Sequence, residues 1–375
     1  MKSFTVQPVT TRKDRHQFLH LPWQLYRGDP NWTPPLLGNQ AELAGFRHHP
    51  FYETADSQAF LVRQGEQVCG RVLAIKNRAY DEVHTDEAMG FLGFFECCDD
   101  TQAAEALFTA AHELLADKGC TRMMCTVNPS MNYECGIMVQ NFSIPDTFMM
   151  TYNPPYYPTL WDSCGFEGVQ DLFSFFGHKS ELARMGQKIR FVASEAVERF
   201  NINLRPLRRS HFREDVDAFL QLYNQSLSSN WGHVPLSDGE LRELSRGMQH
   251  LIVPKLTVMA EVDGKPVGAL FGLLDYNPRI KQMNGRLFPF GFLKLLTRRR
   301  QLKRLRLVSS NVLPEYQRWG IGVVMAYALI DPSLEWGVEF AEFSWVLESN
   351  LLSRKSLEKA SLRVEKVHSI YERAC

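Results

Sequence analysis

No stretch of this chain stays apolar for the length needed to cross a bilayer, and the opening residues Met1-Lys-Ser-Phe-Thr-Val-Gln-Pro-Val9 lack the apolar core of a secretory signal. A cytoplasmic protein with no membrane partner is the expectation. Neither charge sign is in excess, since 42 Lys and Arg stand against 42 Asp and Glu. That balance excludes a nucleic-acid carrier or membrane-surface protein acting by overall charge, and leaves only local patches. The eight cysteines, at positions 69, 97, 98, 120, 125, 135, 164 and 375, include no C-x-x-C pair and no spaced histidine partners. No metal site is therefore expected, and the thiols read as reduced and structural. At 375 residues the chain is longer than one core usually organises, so two domains are expected.

What is present is concentrated in Val312-Leu-Pro-Glu-Tyr-Gln-Arg-Trp-Gly-Ile-Gly-Val-Val-Met325. Leu305, Leu307, Val308 and Val312 make the residues before the turn a strand, and Pro314 forbids its continuation in a ladder. Val323, Val324, Met325, Ala328, Leu329 and Ile330 make the residues after it a helix with a face to bury. Gly320 and Gly322 remove Cβ atoms between the two, so a phosphate can reach the N–H groups of the helix's first turn, helped by the macrodipole. An anion-binding turn is the expectation.

Gln317-Arg-Trp-Gly-Ile-Gly322 matches the pattern Q/R-x-x-G-x-G/A, and with its lead-in Val312-Leu-Pro-Glu-Tyr316 it resembles the signature of the GNAT acyltransferase superfamily. The resemblance implies that Val312, Leu313, Gln317, Arg318, Trp319, Gly320, Ile321 and Gly322 bind acyl-coenzyme A, acetyl-CoA or another acyl-CoA, through its pyrophosphate. Downstream, Phe340 to Leu347 reads as a strand and Glu348-Ser-Asn350 leads into a helix from Leu351 to about Ala360. This is similar to the family's N-x-x-A-x-x-x-Y-x-K-x-G-F landmark, with Asn350 in the asparagine position and Ser353 in the small-residue position, both implied to contact the coenzyme. Leu357 stands where the family often has a tyrosine that protonates the departing thiolate, and Ser361-Leu362 replaces the glycine and aromatic pair. The general acid stays open among Glu348, Ser353, Tyr371 and water. Val364 to Glu372 suits a closing strand.

The first half shows the same order of signals. A strand begins at Phe4, and Leu21–Tyr26 and Pro30–Pro35 read as an aromatic, proline-rich loop. A hairpin follows over 59–63 and 68–75, then a strand over 90–96, a helix capped by Asp99, Asp100 and Thr101, and a strand over 121–127. Where a glycine turn should stand the sequence is Glu96-Cys-Cys-Asp-Asp-Thr-Gln102, whose carboxylates would repel a pyrophosphate. The loops Asn128–Tyr133 and Tyr152–Tyr157 read either as turn residues at the domain seam or as a lining for an acceptor pocket. The expected fold is α/β with mixed sheets: two tandem GNAT-like domains, each a mostly antiparallel central sheet flanked by helices. A degenerate domain spans 1–177, a connecting helix 178–200, and the acyl-CoA-binding domain 201–375. The connecting helix carries Leu182, Met185, Ile189, Val192, Ala196 and Phe200 on one stripe, either clamping the halves or belonging to one of them.

In the second half a strand at 201–206, helices from Phe212 and after Ser237, and an Asp263-Gly264 hairpin lead toward the signature. The resemblance implies that the loop between those helices covers the acceptor. Trp231 and His233 are thus candidates for substrate contact, His233 also for a base, although solvated or capping histidines are commoner. Asn311 is a third substrate candidate, because an N–H near Asn311 to Leu313 would meet the developing oxyanion. The basic run Lys294, Arg298, Arg299, Arg300, Lys303, Arg304 and Arg306 reads as a solvated face, or as an attractor for a coenzyme phosphate or an acidic acceptor. No aromatics interleave with it in the manner of nucleic-acid grooves. The reaction implied is direct transfer of an acyl group, acetyl as the first expectation, to an amine of a small molecule or peptide. Glu348 is the first choice of base and Glu315 the second. The alternatives are a non-catalytic acyl-CoA sensor, which the missing tyrosine favours, and an aminoacyl-tRNA-dependent transferase of the Fem type, which the intact glycine turn disfavours. Acceptor, acyl length and oligomeric state stay open.

Overall fold

The same run of strand pairings occurs twice along the chain. In the first run Phe4–Pro8 pairs with Ala55–Gln64, which pairs with Gln67–Asn77, which pairs with Met89–Cys97, all antiparallel. Helix Thr101–Asp117 then carries the chain to Arg122–Cys125, which lies parallel to Met89–Cys97. In the second run Asn203–Arg205, Thr257–Val262, Lys265–Leu274 and Arg304–Val312 pair antiparallel in turn. Helix Ile321–Trp336 crosses over to Phe340–Leu347, parallel to Arg304–Val312. A parallel neighbour requires such a crossover, so each run ends in a strand–helix–strand unit. This is the mixed α/β architecture expected from the sequence.

The computed structural model describes residues 3–228 and 230–375, so Met1 and Lys2 of the opening stretch lie outside the described residues. Two compact units are discontinuous in sequence. Met1–Leu172, Asn277–Phe292 and Lys366–Cys375 form the first, and Phe173–Tyr276 with Leu293–Glu365 form the second.

Local chemistry sets the boundaries of these elements. Asp100 accepts from the backbone N–H groups of Gln102 and Ala103 and so starts the first crossover helix, and Gly119, at φ +80°, lets the chain leave it. That helix buries Ala103, Leu107, Phe108, Ala111 and Leu115 against Phe95, Trp161 and Phe166, whose rings meet Phe108 at centroid distances of 4.5–5.1 Å. In the second unit Asp263 and Gly264 both take positive φ, which the two-residue hairpin needs. Helix Phe212–Ser226 covers one face of the sheet through Val216, Phe219 and Leu220 on Met259, Ala269 and Phe271. The other face is covered by the crossover helix and by helix Lys179–Phe200, where Leu182 and Met185 pack with Ile330 and Ala341.

Two readings need correction. Leu21–Leu25 is the end of helix Arg12–Leu25, which begins in a capping box of Thr11 with Asp14 and carries Pro22 inside it. Val192 is off the buried stripe of helix Lys179–Phe200 at 57% exposure, and Ala193 takes that place, because a 3.6-residue period continued from Leu182 and Met185 reaches 193.

Candidate active site

The second unit's turn is built as one residue of left-handed backbone between a 3-10 turn, Pro314–Trp319, and the crossover helix. Gly320 takes φ +75° and caps that helix, accepting from Val323 and Val324 N–H. The donors ahead of these, on Ile321 and Gly322, belong to the set that a first helical turn cannot satisfy from within. A Cβ placed on Gly320 or Gly322 would meet no atom within 4 Å, so the space beside the turn at these two positions is open. Two signature side chains brace the turn. Gln317 Nε2 donates to Val312 O at 3.3 Å, and Trp319 stacks on Phe200 at a centroid distance of 4.5 Å. Arg318 is exposed and available to an anion.

Beside the turn the two parallel strands part. Their register runs from Arg304 opposite Phe340 to Leu307 opposite Phe343 and stops there, although the strands continue to Val312 and Leu347. Over 309–312 the first strand stays paired on its other edge with Gly268–Phe271. Leu313 N–H donates to Val267 O at 3.0 Å. Donors alternate in direction along a strand, so the Val312 N–H faces the opening between the strands. Of the amides at 311–313, Leu313's is thus taken up by Val267 and Val312's is turned to the opening.

Residues opposite one another in a ladder share a face. Asn311 is opposite Ala269, Ser309 opposite Phe271 and Arg306 opposite Leu273, with a β-bulge absorbing the extra residue between Arg306 and Ser309. Ala269 and Phe271 lie under helix Phe212–Ser226, so Asn311, Ser309 and Arg306 point toward that helix. Glu342, opposite Arg306, joins them, as does Ser344 two residues on. Arg306 Nε donates to Ser344 Oγ at 3.0 Å. Arg306 is 3% exposed and Glu342 0%, so the basic run is not solvated throughout, and the sequence reading did not name Glu342. The available signal was the alternation Ala341-Glu-Phe-Ser344, which sets Glu342 and Ser344 on one face. The Asn311 side chain is 1% exposed, and neither Oδ1 nor Nδ2 has a hydrogen bond among the described residues. His233 is buried with its ring 6.4 Å from that of Tyr223, which packs at the edge of the same cluster, and Trp231 is half-buried in the same loop.

The remaining candidates fall at the rim or elsewhere. Glu348 is exposed at the end of its strand, and its carbonyl accepts from Arg354 Nη1 at 2.9 Å. Asn350 caps helix Leu351–Lys359 by accepting from Ser353 N at 3.1 Å, and Ser353 is half-buried. Tyr371 belongs to the first unit's core, opposite Cys125 in its ladder and 6.4 Å from the Trp161 ring. Burial first, then the nearby Asp162 and Cys125, push its hydroxyl up to about 12.

Solved structures match this arrangement over its full length. A tandem GNAT protein from the clavulanic acid biosynthesis pathway superposes with a TM-score of 0.56 at 11% identity, covering 99% of this chain and 98% of that one. The chain has the tandem GNAT fold. A GCN5-related N-acetyltransferase from Sphaerobacter thermophilus also superposes, with a TM-score of 0.51 at 11% identity, covering 99% of this chain and 95% of that one. No family model matches the sequence. Among curated proteins, Protein YghO of Escherichia coli (strain K12) is 28% identical over 374 residues, covering 98% of this chain and 95% of its own. Bacterial ceramide synthase of Caulobacter vibrioides (strain NA1000 / CB15N) is 28% identical over 379 residues, covering 99% and 97%.

In the GNAT fold's first copy the parallel register stops in the same way, and the Asn128 side chain and the Val127 carbonyl close the space beyond it. Register between Met89–Cys97 and Arg122–Cys125 stops at Leu92 opposite Cys125. Beyond it Phe94 N–H donates to Asn128 Oδ1 at 2.6 Å, and a Cβ on Gly93 would lie 2.1 Å from Val127 O. Tyr157 Oη accepts from Cys97 N–H at 2.9 Å and donates to Glu96 Oε2 at 2.7 Å, where Tyr26 also donates at 2.8 Å. Burial raises the Glu96 carboxyl's pKa, against the opposing pull of Arg71 and the two hydroxyls. The tyrosine loop read as a seam or pocket lining is thus part of the first unit's interior. Asn153 serves it too, accepting from Met138 N–H and donating to Met138 O.

Proposed function

We propose that this chain is an N-acyltransferase that moves a fatty acyl group from acyl-coenzyme A to the primary amine of a long-chain amino alcohol. The observation that carries acyl transfer is the open turn at Gly320 and Gly322 beside a strand edge whose Val312 N–H faces a gap in the sheet. A pyrophosphate on the turn would leave the thioester arm in that gap. The Caulobacter relative supports the choice of amine and donor, since a ceramide is an N-acylated amino alcohol. That likeness moves the donor from acetyl, the first expectation, to a longer acyl group. The first unit takes no coenzyme in this reading, because Tyr157 occupies the amide of Cys97.

The amine nitrogen attacks the thioester carbonyl carbon, the carbonyl oxygen becomes an oxyanion met by Val312 N–H, and collapse breaks the C–S bond to give amide and thiolate. The proton lost by nitrogen goes to a carboxylate, and a proton returns to sulfur from water or the Ser353 hydroxyl. Two carboxylates are the candidates for this role: Glu342 on the face beneath helix Phe212–Ser226, and Glu348 just past the strand's end. Asn311 and His233 would contact the acceptor.

Release of free thiol from palmitoyl-CoA, with and without a long-chain 2-amino-1,3-diol, tests the proposal. Thiol release that needs the amine is expected, and Glu342→Gln and Glu348→Gln identify the base. The correct one loses about 10²- to 10⁴-fold in kcat with acyl-CoA affinity retained. Acyl-CoA binding with no turnover on any amine would leave the sensor reading, which Leu357 in the tyrosine position favours.

A further inference from the structure

We infer that the segment from Arg286 to Arg300 docks the protein on a bilayer carrying anionic phospholipid. Phe288 and Phe290 are 75% and 73% exposed, and Leu293 and Leu296, next along the sequence, 47% and 38%. Large apolar side chains are seldom exposed in such a group unless something covers them. They are presented by a folded turn and not by loose chain. Phe292 N–H donates to Leu287 O at 2.9 Å. A Cβ on Gly291 would fall 2.2 Å from Arg286 O and 2.7 Å from Met283 Sδ, so only glycine lets the turn close. Met283 below the turn and Leu295 in the helix Gly291–Leu296 are buried and anchor it.

Charge decides what covers the patch. The sequence has no Asp or Glu between Asp275 and Glu315, in a chain whose net charge is zero. Arg286, Lys294, Arg298 and Arg300, all in this segment, are exposed. A second copy of the chain seated here about a twofold axis would bring one basic segment against another. A bilayer boundary accepts both features: rings and leucines at the depth of the acyl chains, bases among the headgroup phosphates. No helix among the described residues is long and apolar enough to cross a membrane, so the attachment would be peripheral.

Docking of this kind requires no turnover, so it stands or falls apart from acyl transfer. The full chain is sedimented with vesicles of phosphatidylcholine alone or mixed with phosphatidylglycerol. Binding to the mixed vesicles, weakened by added salt, is expected. Arg286→Gln with Lys294→Gln should lower partitioning about 25-fold, at about fivefold for each base. Phe288→Ser with Phe290→Ser should lower it on the order of tenfold or more. Circular dichroism and melting confirm folding, and the charge variant and salt series keep the test intact if the phenylalanine variant does not fold. Equal binding to both vesicle types, or partitioning untouched by either double variant, overturns the proposal. So does a phenylalanine variant that turns a dimer into a monomer by light scattering while vesicle binding persists.

Discussion

Adding one methyl group at Gly322 separates the ligand's needs from the fold's. Gly322 lies in the first turn of helix Ile321–Trp336 without a positive φ, and a Cβ there meets no atom within 4 Å. Alanine at that position should therefore leave stability unchanged or raise it by up to about 1 kcal/mol, the helix preference of alanine over glycine. Its methyl would stand in the path of the pyrophosphate. Losing one or two hydrogen bonds to a charged group, each worth about 1.5–3 kcal/mol, weakens binding about tenfold to several hundredfold or more. Gly320→Ala differs in kind, because φ +75° makes any side chain strained, at about 1–2 kcal/mol of stability in addition to lost affinity. Urea unfolding measures the first quantity and calorimetric titration with coenzyme A the second, neither depending on turnover. If Gly322→Ala, and then Gly322→Val, bind coenzyme A as tightly as the parent, the turn is not its site and the proposed mechanism loses its base.

Two further perturbations test the scaffold of each unit. Asp215 is buried, which by itself would raise its pKa, but hydrogen bonds from Arg208 and Arg205 outweigh this and hold the carboxyl at about 2. A depressed folded-state pKa gives stability that is complete above the unfolded value near 3.8 and is lost as pH falls toward 2. Asp215→Asn should therefore cost about 2 kcal/mol at neutral pH and flatten the acid limb of a urea-midpoint profile over that window. In the first unit Tyr157→Phe removes the acceptor of the Cys97 N–H and one donor to Glu96. Urea unfolding should show a loss of about 1–3 kcal/mol, with coenzyme A affinity at the second unit unchanged.

Most of the architecture was legible because its cues are local. The hairpins announced themselves through alternating apolar residues around Gly65 and Asp263-Gly264, and Asp100 and Gly119 bracketed a helix. The glycine turn was readable for the same reason, since a left-handed residue ahead of a helix favours glycine. Helix Arg12–Leu25 was hidden because Pro22 and the aromatics suggested a loop, although Thr11 and Asp14 held the capping signal. Arg306 and Glu342 were illegible for a different reason. Each is charged and sits where the sequence suggests an exposed face or an ordinary strand, and only the register of two strands distant in the chain buries them together. Tyr371 and Tyr157 became core residues through partners more than fifty positions away, which no spacing rule reports.

In the proposed reaction the bare amide of Asn311 would bear on selectivity. An acceptor that offers a hydroxyl beside its reacting nitrogen can answer both the carbonyl and the NH₂ of that side chain, whereas a plain alkylamine of equal length answers neither. A desolvated amide left unanswered penalises the guest that brought no partner, so discrimination between the two amines would come from the empty-handed one being refused. Chain length, read only through methylene contacts, would be judged far more leniently than the polar end.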